Sequence, residues 1–216
     1  MDQIDQTGPS LDLLAALEDD IFSNVELAST LRKCVILGGR AGSTDLRDWA
    51  TSELTGYEND DEAPDCRRAA APIMIDATIG NGYVKGQVIS ANILPEPARE
   101  FFSAGPIFLD GIAAIEAMVE ETRGQKSYRM SHAGAMDICA QLDKESGNPF
   151  QQITGLYWSI SHSSLVGIVD AVRTRLAQIV AEMRTHTPVG QPTPTAEVAS
   201  DAVRRIIAMS ARTSRG

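Results

Sequence analysis

The feature that most constrains the fold is a change of hydrophobic period after residue 72. From Ile73 to Ile79 every second residue is isoleucine or alanine, the alternation expected of a strand buried on one face. Asn81-Gly82 follows, the dipeptide best suited to a two-residue turn because both central residues take positive φ. Residues 83–90 then form the returning strand of a predicted antiparallel hairpin.

Helical periodicity occupies most of the remaining sequence. Apolar residues recur at three- and four-residue spacing. Three predicted helices have candidate caps, namely Ser10, Ser43 or Thr44, and Ser161 or Ser163. Another helix is predicted for residues 26–38. We therefore predict an α+β fold that is mostly helical, with a small antiparallel sheet made of the hairpin and a strand at residues 153–160.

One domain is expected to span residues 10–185. Residues 186–216 are expected to form a linker and a short basic tail, because "THTPVGQPTPT" is rich in proline and threonine and residues 196–212 have the pattern of a weak basic helix.

Composition argues against several classes of protein. With 22% charged residues and no apolar run near the roughly 18 residues that cross a bilayer, no membrane span is predicted. The N-terminal residues are acidic and lack the pattern of a secretory signal, so a cytoplasmic location is expected. The net charge of −10 argues against nucleic acid as a partner, because binding to phosphates needs a concentrated positive surface.

Metal and cofactor sites are not predicted. The three cysteines are far apart and form no C-x-x-C pair, and the three histidines lack the spacing of zinc ligands. Reduced, buried thiols are the expected state of the cysteines.

Three interpretations compete for the segment "LRKCVILGGRAGSTDLRDWATSELTGY", residues 31–57. It lacks the lysine of a Walker loop and begins as a helix rather than a strand, which argues against a phosphate-binding turn. Cys34 follows Arg32 and Lys33, whose charges would lower a nearby thiol pKa, but it falls on the apolar stripe of the helix. Two packed helices joined by a turn, with a structural cysteine, are favoured.

The serines and histidine of "ISHSSLVG" suggest part of a catalytic triad. The nucleophile elbow G-x-S-x-G is absent, and neighbours in sequence such as Ser161 and His162 seldom act as nucleophile and base. Helix capping is the favoured interpretation. No catalytic residue is predicted, although enzymatic activity stays open at this level.

Eight polar or aromatic residues in the best-ordered segments are candidates for a binding groove, because arginine beside carboxylates and aromatic rings offers a planar, bidentate fork. The competing interpretation is a structural ion-paired network. The candidates are Arg32, Asp48, Trp49, Glu53, Tyr57, Arg67, Trp158 and Arg173.

The order of these segments resembles the AbiTii domain family. Residues 31–57 are similar to the family's pattern of leucine-arginine-lysine-cysteine, an apolar run, tryptophan, glutamate-leucine and glycine-tyrosine, and Arg67 after Pro64 fits the proline and arginine that follow. "ANILPEPARE" is similar to its proline-containing connection, and "WSISHSSLVGIVDAVRTRLAQIVAEM" to its terminal helix. The resemblance spans about residues 10–183.

This resemblance implies a role in antiphage defence or a related bacterial conflict, without implying a reaction. The first hypothesis is a non-enzymatic interaction or sensing module that binds a protein partner of a defence system or a second copy of itself. The alternative is a toxin-like effector acting on a nucleotide or nucleic acid. Convergence of Arg32, Glu53, Tyr57 and Arg67 in one concave pocket would favour it. A homodimeric structural protein that pairs through a long helix at residues 163–183 is a further alternative.

Overall fold

The computed structural model describes residues 12–124 and 127–213 and confirms a mostly helical α+β fold. Of these residues, unit 1 contains 12–65, 109–114 and 169–213, and unit 2 contains 66–108, 115–124 and 127–168. The helices are α1 (Leu13–Phe22), α2 (Leu27–Ala41), α3 (Thr44–Thr55), α4 (Ala98–Ala104), α5 (Ile112–Glu121), α6 (Ala135–Ser146), α7 (His162–His186) and α8 (Ala196–Thr213). The strands are β1 (Ile73–Ile79), β2 (Gly82–Ile89), β3 (Tyr128–Met130) and β4 (Gln151–Ile160).

The N-terminal helix of unit 1 begins at an aspartate cap. The Asp12 carboxylate accepts a hydrogen bond from the backbone N–H of Ala15 at 3.0 Å, which satisfies one of the unpaired donors of the first turn. The predicted cap, Ser10, lies outside the described residues.

The turn between α2 and α3 lies further along the chain than the glycine pair suggests. Both Gly38 and Gly39 are inside α2, and the helix ends at Gly42, whose φ of 74° is left-handed. A Cβ at Gly38 would lie 2.8 Å from the backbone nitrogen of Arg47, so glycine there permits a close approach of α2 and α3. Ser43 then caps α3 by accepting from the backbone of Leu46 at 3.2 Å. Two packed helices are therefore the correct interpretation of residues 31–57.

The helix predicted for residues 196–212 is present as α8. Helix α8 belongs to unit 1 and packs against α3. Its buried face contains the small residues Ala199 and Ala202, and Ser200 Oγ lies 2.9 Å from Ser43 Oγ in a buried contact. Residues 187–195 therefore connect α7 to α8.

The long helix α7 follows its predicted apolar stripe. All six stripe positions are buried. The exposed apolar stripe that would have supported a homodimer paired through this helix is therefore not present on α7. The six are Leu165, Ile168, Val172, Leu176, Ile179 and Met183.

Unit 2 is built on an antiparallel sheet with strand order β2-β1-β4-β3. The predicted hairpin is confirmed, but Ile79 pairs with Gly82, so the two turn residues are Gly80 and Asn81, one position earlier than expected. Gly80 supplies the positive φ of 58° that such a turn requires at its first central position. The strand predicted at residues 153–160 is present as β4, which lies between β1 and β3 and packs against α6.

Within the described ranges, no helix combines the length and apolarity needed to cross a membrane.

Candidate binding groove

A groove of about 700 Å³ lies within unit 1. One side is formed by α3 and the loop that follows it, and the other side is formed mainly by α8. The aromatic rings of Trp49 and Tyr57 line it together with Val203 and Ile207 of α8. A volume of this size, with apolar and aromatic walls, falls in the range of ligand-binding sites in proteins.

The groove carries more acidic than basic side chains. Five carboxylates and two arginines line it, and the five carboxylates come from α3 and from residues 61–65. Arg204 is engaged by Asp201, since its Nη2 donates to Asp201 Oδ1 at 3.0 Å. The carboxylates are Asp45, Asp48, Asp61, Glu62 and Asp65, and the second arginine is Arg175.

The acidic loop is held in place by its own hydrogen bonds. Asn59 Oδ1 accepts from the backbone N–H groups of Asp61 and Glu62, both at 3.1 Å. The Asn59 amide then donates to Glu62 Oε1 at 2.7 Å. An asparagine that bonds to the backbone two and three residues ahead shapes a turn, so the sequence of this loop fixes where its carboxylates lie.

Tyr57 is fixed in the groove wall by two hydrogen bonds. Its hydroxyl donates to Oε1 of the fully buried Glu53 at 2.8 Å, one helical turn away. Its backbone N–H donates to the carbonyl of Leu109 at 2.9 Å. Because the hydroxyl bonds to Glu53, the ring is held in a defined orientation and Glu53 is placed behind it.

The groove brings together only part of the predicted set. Asp48, Trp49 and Tyr57 line it, whereas Arg32 is exposed on α2, where its Nη1 lies 3.5 Å from Ser29 Oγ. Arg173 does not line it either, and its Nη1 donates at 2.7 Å to the carbonyl of Val25, which lies between α1 and α2.

The two remaining candidates belong to unit 2. Arg67 is fully buried. Trp158 is also buried, and its Nε1 donates to the carbonyl of Phe102 at 3.2 Å while the two rings lie 4.5 Å apart. Trp158 therefore takes part in an aromatic cluster of the core.

Cys34 is a structural residue, as its place on the apolar stripe of α2 predicts. The side chain is fully buried, and burial raises the pKa of the thiol to about 12. A thiol with this pKa stays protonated near neutral pH and is a poor nucleophile. The reactive-cysteine interpretation is therefore wrong.

Alkylation of the native protein by iodoacetamide at pH 8 is expected to leave Cys34 unmodified, because both burial and the raised pKa suppress the thiolate. Peptide mass spectrometry before and after denaturation in urea would measure it, with the unfolded protein as the control. Rapid labelling of Cys34 in the native state would contradict this assignment.

The serine cluster at the start of α7 caps the helix. Ser161 Oγ accepts from the backbone N–H of Ser164 at 3.1 Å. His162 makes a different contact, since its Nδ1 lies 3.1 Å from Thr122 Oγ1. The capping interpretation of "ISHSSLVG" is confirmed.

Sequence reasoning missed a polar network on the sheet of unit 2. Asp76 is buried, and its carboxylate accepts from Gly86 N at 2.7 Å, from Arg129 Nη2 at 2.6 Å and from the Tyr157 hydroxyl at 3.1 Å. The Arg129 guanidinium also lies over the Tyr157 ring, 3.7 Å from its centroid. An aspartate inside an otherwise apolar strand was the signal that could have revealed this network.

The network lowers the pKa of Asp76. Burial alone would raise that pKa, but the hydrogen bonds from Gly86, Arg129 and Tyr157 together outweigh it. The pairing of Asp76 with Arg129 joins β1 to β3 across β4, and the bulge at Gly86, with a φ of 65°, brings the backbone of β2 to the same carboxylate.

The groove side formed by α8 was also missed, because residues 186–216 were taken as linker and tail.

In the described part of the chain, no cluster of three or more histidine, cysteine or acidic side chains is arranged to hold a metal ion.

The comparisons identify a family. The AbiTii family model matches residues 12–206, nearly the whole chain and most of α8. No curated protein and no solved structure gives a significant match. The chain therefore belongs to the AbiTii family, whose name refers to abortive-infection defence.

Proposed function

We propose that the protein is a non-enzymatic interaction module of a bacterial abortive-infection system, acting in the cytoplasm, and that the groove of unit 1 binds a protein partner of that system. The supporting observation is the groove itself, which combines two aromatic residues, apolar residues of α8 and five carboxylates in about 700 Å³.

The groove offers the kinds of side chain that anchor protein partners. Tryptophan and tyrosine contribute most to binding energy at protein interfaces, because they bury a large area with little loss of conformational freedom. The described part of α8 also exposes apolar side chains, since Ile207 is 44% and Met209 63% exposed. Exposed apolar residues beside a groove are typical of a surface that a partner covers.

The carboxylate behind the tyrosine ring has a structural role. Glu53 is buried behind Tyr57 and accepts a hydrogen bond from its hydroxyl, and the backbone N–H of Tyr57 donates to the carbonyl of Leu109. These contacts favour a binding surface over a catalytic centre. The set proposed for a toxin-like cleft is also divided, because Tyr57 lines the groove and Arg32 does not.

Expression of the chain alone tests the module against the effector. We expect bacteria that express the wild-type chain alone to grow like bacteria that express Ala208→Trp, a variant in which an exposed groove residue is enlarged. A module without its partner performs no damaging reaction. Growth arrest by the wild-type chain, relieved in the folded Ala208→Trp variant, would contradict the proposal and favour the effector.

A further inference from the structure

We propose that the segment bound in the groove is basic and amphipathic, so that lysine or arginine side chains meet the carboxylates and an apolar side chain packs on the wall. This inference rests on the proposed function and names the chemistry of the partner. It follows from three features of the groove, namely its charge, its aromatic rings and its apolar side.

The charge of the groove selects a cation. Asp45 and Asp48 stand on α3, and Asp61, Glu62 and Asp65 stand on the following loop, so the carboxylates come from two consecutive elements. The three loop carboxylates are all exposed and able to pair with an incoming group. The net charge of −10 adds a long-range attraction for a basic partner.

The aromatic rings of the groove are also suited to bind cationic side chains. A guanidinium or ammonium placed over the face of tryptophan or tyrosine is attracted by the ring quadrupole. Tyr57 lines the groove beside the carboxylates and is partly exposed, whereas Trp49 is only 9% exposed, so a cationic side chain that meets an acid there would contact the tyrosine ring.

The apolar side of the groove favours a protein segment over a small cation as the bound group. Val203, Ile207 and Ala208 of α8 line the groove, and a small polar cation would leave this surface in water. An amphipathic segment covers it while its basic side chains reach the carboxylates, as helices and peptides do in apolar grooves.

Fluorescence anisotropy of a dye-labelled peptide tests the inference with the full chain. The probe is a short synthetic peptide of lysine, leucine and serine, compared with a peptide in which every lysine is replaced by glutamate. The groove variant combines Asp48→Asn, Asp61→Asn and Asp65→Asn. A matched control variant removes the same number of exposed carboxylates from unit 2, through Glu100→Gln, Asp137→Asn and Glu145→Gln.

We expect the wild type and the control variant to bind the lysine peptide with similar Kd, and the groove variant to bind it about tenfold more weakly. The Ala208→Trp variant should also weaken binding, because it narrows the groove without changing any charge. Equal Kd values for the groove and control variants would overturn the inference, since the attraction would then come from net charge alone. Equal binding of the two peptides, or no binding of the lysine peptide, would also overturn it.

The result of the peptide-binding experiment is independent of the test of the proposed function. If the groove and control variants bind the lysine peptide equally, the partner is not recognised through these carboxylates, while growth after expression of the chain alone still decides between module and effector.

Discussion

Replacement of Gly111 by alanine is expected to lower the free energy of unfolding by about 3 kcal/mol. A Cβ at Gly111 would lie 2.1 Å from the carbonyl oxygen of Leu54 and 3.3 Å from the carbonyl carbon of Thr55. Both are backbone atoms at the end of α3, so they cannot move aside as a flexible side chain can. Denaturation in urea, followed by circular dichroism, measures the change.

The matched control for this prediction is Gly39→Ala. A Cβ at Gly39 meets no atom within 4 Å, and the residue lies inside α2, so alanine should be neutral or stabilise the protein by up to about 1 kcal/mol. Equal urea midpoints for Gly111→Ala and the wild type would show that the close approach of residues 109–111 to the end of α3 is not a constraint in solution.

The Asp76→Asn variant is expected to lose about 2 kcal/mol of stability at neutral pH. Asparagine keeps the size of the side chain and can still accept from Gly86. It removes the negative charge that pairs with Arg129 at 2.6 Å in a site where the Asp76 side chain is 8% exposed. The control is Asp137→Asn, an exposed position on α6 where the change should stay within about 0.5 kcal/mol.

The effect of Asp76 depends on pH in a defined direction. The pKa of this carboxyl in the folded protein lies below its ordinary value of 3.8. Its contribution to stability is therefore complete above the unfolded pKa and is lost as the pH falls through the folded pKa. The difference between wild type and Asp76→Asn should be constant near neutrality and shrink below about pH 4. A difference that stays constant down to pH 2 would rule out the charge of Asp76 as its source.

The periodic segments could be predicted from sequence because their pattern is local. The stripe of α7 follows from which residues must face a core. The alternation predicted the strand β1 but not its buried face, because Ile79 is 46% exposed and Asp76 is buried beside a break in the register. The hairpin turn was placed one residue late because Gly80-Asn81 and Asn81-Gly82 both satisfy turn chemistry, and only the pairing of Ile79 with Gly82 decides between them.

The groove could be predicted only on the α3 side. Asp48, Trp49 and Tyr57 stand close together in sequence, on α3 and shortly after its end. The side formed by α8 depends on a contact between residues far apart in the chain, such as Ser43 with Ser200. A Pro-rich segment before α8 gave no local sign that the chain returns to pack on α3.

The network around Asp76 was missed for a similar reason. Arg129 and Tyr157 lie on β3 and β4, far from Asp76 in sequence, and only the strand order brings their side chains together. The alternation of the strand places Asp76 on the face opposite the isoleucines, so the sequence shows neither its burial nor which cation pairs with it.

The most direct test of the partner-binding groove is protection from phage by the Ala208→Trp variant, expressed in the native gene context. Ala208 is exposed on α8 and lines the groove, so an indole there should block the site while the fold is kept. The control is Ala140→Trp, an exposed position on α6 that does not line the groove. We expect plaque counts to rise to the unprotected level with Ala208→Trp and to stay at the protected level with Ala140→Trp. Full protection by a folded Ala208→Trp variant would contradict the account, because the groove would then not be needed for defence.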